Sequence, residues 1–264
     1  MASTGDFVSF IGAGNVAWHL APALDNAGFA VKEVFSREKE NAKALVDRLY
    51  QADAKSTLDF SGSVSEVFII AVSDDAIEEV SRELILPDDA ILVHTSGSVP
   101  LSSLGYAPAS RIGVFYPLQT FSKQKKVEFG KIPLFIETEN AETERILMRM
   151  ARAISGTVNA IDARDRITLH LAAVFASNFS NHMLTIAKEL LEGRNLKFSW
   201  LKPLVSETLE KSLAIDPDKS QTGPARRGDL HVLDSHIEML GNDKRLAEIY
   251  RVMSQHILDK YQPE

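Results

Sequence analysis

Short apolar runs rich in β-branched residues alternate with amphipathic stretches of helical period up to residue 161, and beyond it the strand signals stop. Nothing else in the chain restricts its fold so much. Residues 7–11, 31–35, 67–72, 90–93, 112–115, 134–136 and 157–161 carry the strand pattern. Residues 15–28, 38–50, 74–84 and 141–154 carry the helical one. The third run, Val67-Phe68-Ile69-Ile70-Ala71-Val72, has no polar face. That suits a strand buried on both sides in the middle of a parallel sheet. The alternation implies right-handed crossovers and an open, doubly wound α/β sheet covered on both faces. From residue 162 onward only helical patterns recur: 167–192, then 199–213, 229–240, and from Lys244 towards the end. The expected organisation is an α/β domain over 1–161 and an all-helical domain over 162–264.

A formal charge of −7 on 264 residues argues against nucleic acid or an anionic membrane as the main partner. The chain has no cysteine, which excludes disulfides, thiolate metal ligands and thiol nucleophiles. No apolar stretch reaches the roughly 18 residues of a membrane helix. The N-terminus lacks the basic-then-apolar pattern of a signal peptide. A cytoplasmic location is therefore the default expectation.

Between the first strand and the first helix stands Gly12-Ala13-Gly14-Asn15-Val16-Ala17, which fits G-x-G-x-x-A. Gly12 permits a sharp turn out of the strand. Gly14 lets a pyrophosphate approach the backbone, and Ala17 lets helix and strand pack closely. The helix N-terminus then offers free N–H groups and a positive dipole end to the phosphates. The setting, strand before and helix after, points to dinucleotide binding at Gly12, Ala13, Gly14, Asn15 and Val16. The alternative is a tight turn whose site is vestigial. Dinucleotide sites for NAD usually place an acidic residue about 20 residues on, at the end of the second strand. Here that place holds Ser36 and Arg37. A hydroxyl and a guanidinium suit the 2′-phosphate of NADP. In the other reading Ser36 caps the next helix, and Glu33 or Glu38 holds NAD.

Ligands of open α/β sheets lie beyond the carboxyl ends of the strands. Val72 and Ser73 stand at one such end and would border the cofactor, while Ser73 or Asp74 would cap the following helix. His94-Thr95-Ser96-Gly97 stands at another, with Ser96 a candidate near the reacting carbon. Tyr116 precedes Pro117 in extended geometry. It is either a proton donor or a half-buried anchor. Gln119 is a candidate substrate contact. On the long helical stretch His170, Val174, Asn178 and His182 recur every four residues. Asn178 faces the site in this reading, and the histidines take structural roles. No carboxylate stands at a spacing that would complete a metal site with them. Arg226 and Arg227 follow a Thr-Gly-Pro turn, Arg227 being a candidate for holding an anionic substrate. Asp229 is a good cap for the helix after it.

With its "IGAGNVA", "AVSDDAI", "HTSGS", "YPLQTF" and "TGPARRGD" stretches, nearly the whole chain resembles the Rossmann-like/DUF2520 proteins. These are labelled NADP oxidoreductases or coenzyme F420-dependent-like. More distantly it is similar to the 6-phosphogluconate dehydrogenase C-terminal-like superfamily. The resemblance implies an N-terminal Rossmann domain, a helical second domain, a cleft between them and a homodimer built on the helices. Two departures matter. Members often read His-Pro-Leu where this chain has Tyr116-Pro117-Leu118. The lysine that β-hydroxyacid dehydrogenases pair with an asparagine is replaced by Val174, four residues before Asn178. No residue here reads a deazaflavin.

The resulting expectation is an NADP(H)-dependent oxidoreductase, with NAD as the other possible cofactor. It would move hydride between nicotinamide and a small carbonyl, imine or hydroxy substrate. Tyr116, Ser96 and Asn178 would surround the reacting carbon. The rival class is a dinucleotide-binding protein that turns nothing over.

Overall fold

The computed structural model describes residues 6–261. Its first part is built on β1 (Phe7–Ile11), β2 (Ala30–Phe35), β3 (Asp53–Lys55), β4 (Val67–Ile70), β5 (Ile91–His94), β6 (Arg111–Pro117), β7 (Leu134–Glu137) and β8 (Val158–Ala160). They form one 8-stranded sheet in the order β3-β2-β1-β4-β5-β6-β7-β8. The strand order reverses direction between β1 and β4, which opens a crevice at the carboxyl ends of those strands.

Alternate side chains of the central strands feed two separate cores. Val67 and Ile69 of β4 join Val8, Phe10, Ile91 and Val93 on one face. Helices α1 (Asn15–Asn26), α2 (Lys39–Val46) and α4 (Ala141–Ile154) cover that face through residues such as Leu20, Leu24, Leu45, Leu147 and Met150. Phe68 and Ile70 point the other way and pack with Ile11, Leu92, Phe60, Leu104 and Ile77 of α3 (Ile77–Glu83). Each such fully buried side chain contributes about 1.5–3 kcal/mol. The continuous apolar run of β4 is therefore read correctly as a strand with two buried faces.

Three details depart from the sequence expectation. β3 was not anticipated. Its Asp-Ala-Lys is a polar edge strand with no buried face, so it leaves no hydrophobic pattern. β7 runs antiparallel to β6, with Phe115 opposite Ile136, so the parallel run breaks at that pair and resumes between β7 and β8. Neither Ser73 nor Asp74 caps its helix through a side chain. The Asp74 carboxylate instead accepts the Ser98 hydroxyl.

After β8 the chain enters α5 (Ala163–Ala173), capped by Asp162, whose side chain accepts the Asp165 N–H at 2.8 Å. A π-helical stretch, Val174–Phe179, follows without a break and leads into α6 (Ser180–Glu192). The chain divides into two compact units, the first ending at His182 and the second beginning at Met183. The second contains α7 (Lys202–Ala214), α8 (Pro217–Ser220), α9 (Pro224–Arg227), α10 (Leu230–Leu240) and α11 (Lys244–Tyr261). α7 packs with α8, and α9, α10 and α11 pack together. Asp229 caps α10 as expected, its carboxylate accepting the Val232 N–H. No helix among the described residues is long and apolar enough to cross a membrane.

One interaction fastens α5 to the sheet. Arg166 is completely buried, and its Nε donates to Glu137 of β7 at 2.6 Å. Its Nη1 donates to the Ser96 carbonyl at 3.2 Å, and Nη2 has no partner. Removing one member of a buried pair strands the other's charge at a cost of about 3–5 kcal/mol. Arg166→Met should lose stability on that scale in urea unfolding. Combining it with Glu137→Leu should return most of the loss, because the stranded carboxylate is then gone.

Candidate functional site

The crevice beside β1 begins at Gly12. Its φ of +111° lies where side chains are strained, and a Cβ would stand 2.4 Å from the Ala71 carbonyl oxygen. Its N–H donates to the Phe35 carbonyl at 2.8 Å, so the turn draws β1, β2 and the end of β4 together. Ala17 is fully buried against the sheet, the close packing that a small residue at this position permits. Gly14 differs from Gly12. A Cβ there would meet nothing closer than the Ala71 oxygen at 3.8 Å. The protein's own packing does not demand glycine at 14, whereas an incoming phosphate would. Gly14 and Asn15 are exposed, and no side chain caps α1. The first N–H groups of α1 are thus open at the crevice, with the dipole's positive end behind them. These residues fit a dinucleotide pyrophosphate.

Beyond β2, Ser36 is half-buried and Arg37 exposed. Arg37 pairs with no acidic side chain among the described residues. Ser36 does not cap α2, whose N-terminus is Glu38 with no side-chain cap. Glu33 is committed elsewhere. Its carboxylate accepts Ser9 Oγ at 3.0 Å and the Ser63 hydroxyl, and pairs with Lys55 at 3.2 Å. Both oxygens of Glu33 are thus engaged within the protein, Oε2 by two hydroxyls and Oε1 by Lys55. On the other side of β1, Val72 is half-buried and Ser73 exposed at the end of β4.

The loop after β5 is held from within. Ser96 Oγ accepts the N–H groups of Ser98 and Val99, each at 3.1 Å. His94 is fully buried, and its Nδ1 accepts the Ser96 N–H at 3.2 Å. Its Nε2 has no hydrogen-bond partner. Burial pushes the His94 imidazole down to about 4, with Arg166 adding to the effect. Asp74 and the Pro100 carbonyl oppose it, the latter without reaching hydrogen-bond geometry.

Gly97 in the same loop presses against a pair of rings. Tyr116 OH lies 3.2 Å from His170 Nδ1. A Cβ on Gly97 would stand 2.5 Å from that nitrogen and 2.8 Å from the phenol oxygen. Tyr116 is buried at the end of β6, so β6 and α5 meet at this junction. Burial pushes the phenol up; Arg166 opposes and Asp74 adds. Next to the pair lies a cavity of about 580 Å³. Leu118, Leu169, Ala172, Ala173, Val174 and Ala176 form its apolar wall; Gln119, Thr120, Ser177 and Asn178 supply polar groups.

The structure thus brings Tyr116, Gln119 and Asn178 around one cavity. Ser96 sits in the neighbouring loop with its hydroxyl engaged by the turn. His182 does not line the cavity, because the π stretch breaks the four-residue stripe that began at His170. Arg227 belongs to the second unit, where it is exposed at the end of α9. Arg226 beside it covers the Tyr261 ring and donates to the Tyr261 carbonyl at 3.2 Å. Sequence reasoning singled out neither Arg166 nor Glu137, and it favoured a structural role for His170, which lines the cavity beside Tyr116. Arg166 and His170 stand four apart on a largely apolar helix, and that spacing is the one signal that could have joined them.

Comparison with known proteins follows the same division. The model for NADP oxidoreductase, coenzyme F420-dependent, matches residues 7–97. That for a domain of unknown function, DUF2520, matches residues 132–257. None of the curated proteins matches the chain. A solved structure described as a putative NADP oxidoreductase from Bacteroides fragilis is 38% identical, with 96% of this chain and 98% of that one covered and a TM-score of 0.87. This chain belongs to the DUF2520 family. The DUF2520 fold is shared by a protein from Thermotoga maritima at 22% identity, with 97% and 98% coverage and a TM-score of 0.71. It is also shared by an imine reductase from Myxococcus stipitatus in complex with NADP+, at 14% identity, 97% and 93% coverage and a TM-score of 0.64. By class, this DUF2520 protein is a nicotinamide dinucleotide-dependent oxidoreductase.

His94 makes stability depend on pH. The unfolded imidazole takes its proton near 6.5 and the folded one near 4. Between those values the unfolded chain binds more protons, so the contribution is complete above pH 6.5 and shrinks as pH falls. By pH 4 the loss should reach roughly 3 kcal/mol. Urea unfolding from pH 4 to 7 should show this slope in the wild type, and His94→Gln should lack that part of it.

Proposed function

We propose that this chain is an NADP(H)-dependent oxidoreductase that moves a hydride between nicotinamide and a small carbonyl, imine or hydroxy compound. The observation that carries the reading is an uncapped α1 N-terminus together with an Arg37 that pairs with no acidic side chain among the described residues, while Ser9, Ser63 and Lys55 engage Glu33. Backbone N–H groups from Gly12 to Val16 hold the pyrophosphate, and Ser36 and Arg37 hold the 2′-phosphate. Val72 and Ser73 border the cofactor. A bound nicotinamide supplies or accepts the hydride. Tyr116, kept protonated by its burial, gives a proton to the reacting group, and Gln119 and Asn178 hold substrate in the adjoining cavity. The NADP+ complex of the similarly folded imine reductase supports the same choice of cofactor.

Fluorescence titration tests the cofactor. NADPH should bind more tightly than NADH, and Arg37→Ala should weaken NADPH roughly tenfold or more while leaving NADH unchanged. Tighter binding of NADH by the wild type would overturn the assignment.

We further propose that two copies associate through the helical residues. Leu171, Phe175, Trp200, Leu204 and Leu213 are each more than half exposed, Leu213 at 87%. Large apolar side chains exposed to this degree call for cover. Light scattering should give twice the chain mass of 29.1 kDa, and Trp200→Glu with Leu204→Glu should shift the population towards monomer.

A further inference from the structure

The cavity beside Tyr116 says what kind of molecule can enter it. Among the described residues, no lysine, arginine, aspartate or glutamate lines it. Its walls are mostly leucine, valine and alanine, with hydroxyl and amide groups at a few places. A carboxylate brought here meets no cation, and an iminium meets no carboxylate. Gln119, Thr120, Ala172, Ala176 and Asn178 are exposed, so the cavity opens to solvent on one side, and neither charge would find a partner among the groups that line it. A neutral carbonyl compound loses little and finds a hydrogen-bond donor in the Tyr116 hydroxyl.

The second observation is the contact behind that hydroxyl. Tyr116 OH is 3.2 Å from His170 Nδ1, and the Gly97 backbone closes over the junction so tightly that no side chain fits there. The Phe135 ring flanks Tyr116 at 6.4 Å between centroids. His170 is only part-buried, whereas Tyr116 is buried. The π stretch starts four residues after His170 and supplies Asn178 to the same cavity. Such irregular turns concentrate at functional sites.

We propose that this cavity takes an uncharged, largely apolar ketone or aldehyde, and that His170 recharges Tyr116 with the proton consumed in its reduction. The inference rests on the reading of the chain as an NADP(H)-dependent oxidoreductase. A reduced nicotinamide dinucleotide is the hydride donor and is itself oxidised. As the carbonyl carbon gains hydride, its C–O π bond breaks and the oxygen takes the Tyr116 proton. The phenol oxygen takes the Nδ1 proton of a doubly protonated His170, which becomes the neutral imidazole and regains its proton from solvent. The sum is one hydride and one solvent proton added across C=O, with both side chains restored. Tyr116 is the catalytic residue here; His170 acts through it. The charged groups that bear on Tyr116 are Arg166 and Asp74.

The test uses the full chain with NADPH and five probes. Cyclohexanone and acetophenone are neutral ketones, pyruvate and 2-oxoglutarate are carboxylates, and 3,4-dihydroisoquinoline is an imine. The ketones should be reduced in preference to the others. Tyr116→Phe and His170→Ala should each lower kcat about 100-fold or more, with NADPH affinity and KM little changed. Added imidazole should restore part of the His170→Ala rate and none of the Tyr116→Phe rate, which a structural role for His170 would not produce. Saturation-transfer NMR gives a readout without turnover: cyclohexanone should contact the wild type and lose contact when Ala173→Phe fills the cavity. NADPH binding with no ketone bound or reduced would overturn the inference and leave the dinucleotide reading standing. Preference for the imine or the carboxylates would overturn the substrate class, and failure of imidazole rescue would overturn the relay. Absence of NADPH binding would remove the reading itself and the inference with it.

Discussion

Arg166 is a cation without access to water, and Glu137 is what makes that tolerable. The guanidinium joins three elements that are far apart in the chain. It takes the carboxylate of β7, it grips the carbonyl of Ser96 after β5, and it roots α5 on both. A buried pair of this kind adds little net stability compared with an apolar core. What it supplies is registration. One helical turn further on stands His170, on the same side of α5 as Arg166, and there it meets Tyr116. The Ser96 carbonyl held by Arg166 is also the start of the loop that places Gly97 over that meeting. The electrostatic field of the same charge reaches His94 and Tyr116. The position of the ring pair thus traces to one arginine, whose charge adds to the effect of burial at His94 and opposes it at Tyr116.

The dinucleotide crevice depends on different physics. It is backbone chemistry, made by a strained glycine, an uncapped helix and two small residues. That is why it was legible in the sequence. Gly12, Gly14 and Ala17 act through what they lack, and a missing side chain shows as clearly in a one-dimensional string as in three dimensions. The two-faced burial of Val67-Phe68-Ile69-Ile70 was legible for a related reason, since it needs only the absence of polar residues. The engagement of Glu33 on β2 was not legible. Nothing near Glu33 in sequence announces Ser9, Ser63 and Lys55 as its partners, and their approach needs the strands to be paired first.

The cavity was harder still. Tyr116 and Asn178 could be singled out one at a time, but their meeting depends on α5 docking through a buried ion pair that leaves no local pattern. Periodicity finds strands without giving their direction, so the reversal at β7 was invisible, although it is what presents Glu137 to Arg166. β3 was missed because a charged edge strand and a loop have the same composition.

The π stretch from Val174 to Phe179 carries one residue more per turn than an α-helix needs. An insertion of one residue rotates everything after it by about 100° relative to an unbroken helix. The rod from Ala163 to Glu192 is therefore out of phase with itself. Up to Ala173 its inward side is set by Arg166 and His170; after Phe179 a different set of side chains takes that angle. A homologous chain that lacks the extra residue, aligned through this segment without a gap, would keep its residue numbers and exchange its faces, so comparing such helices means counting angles as well as positions.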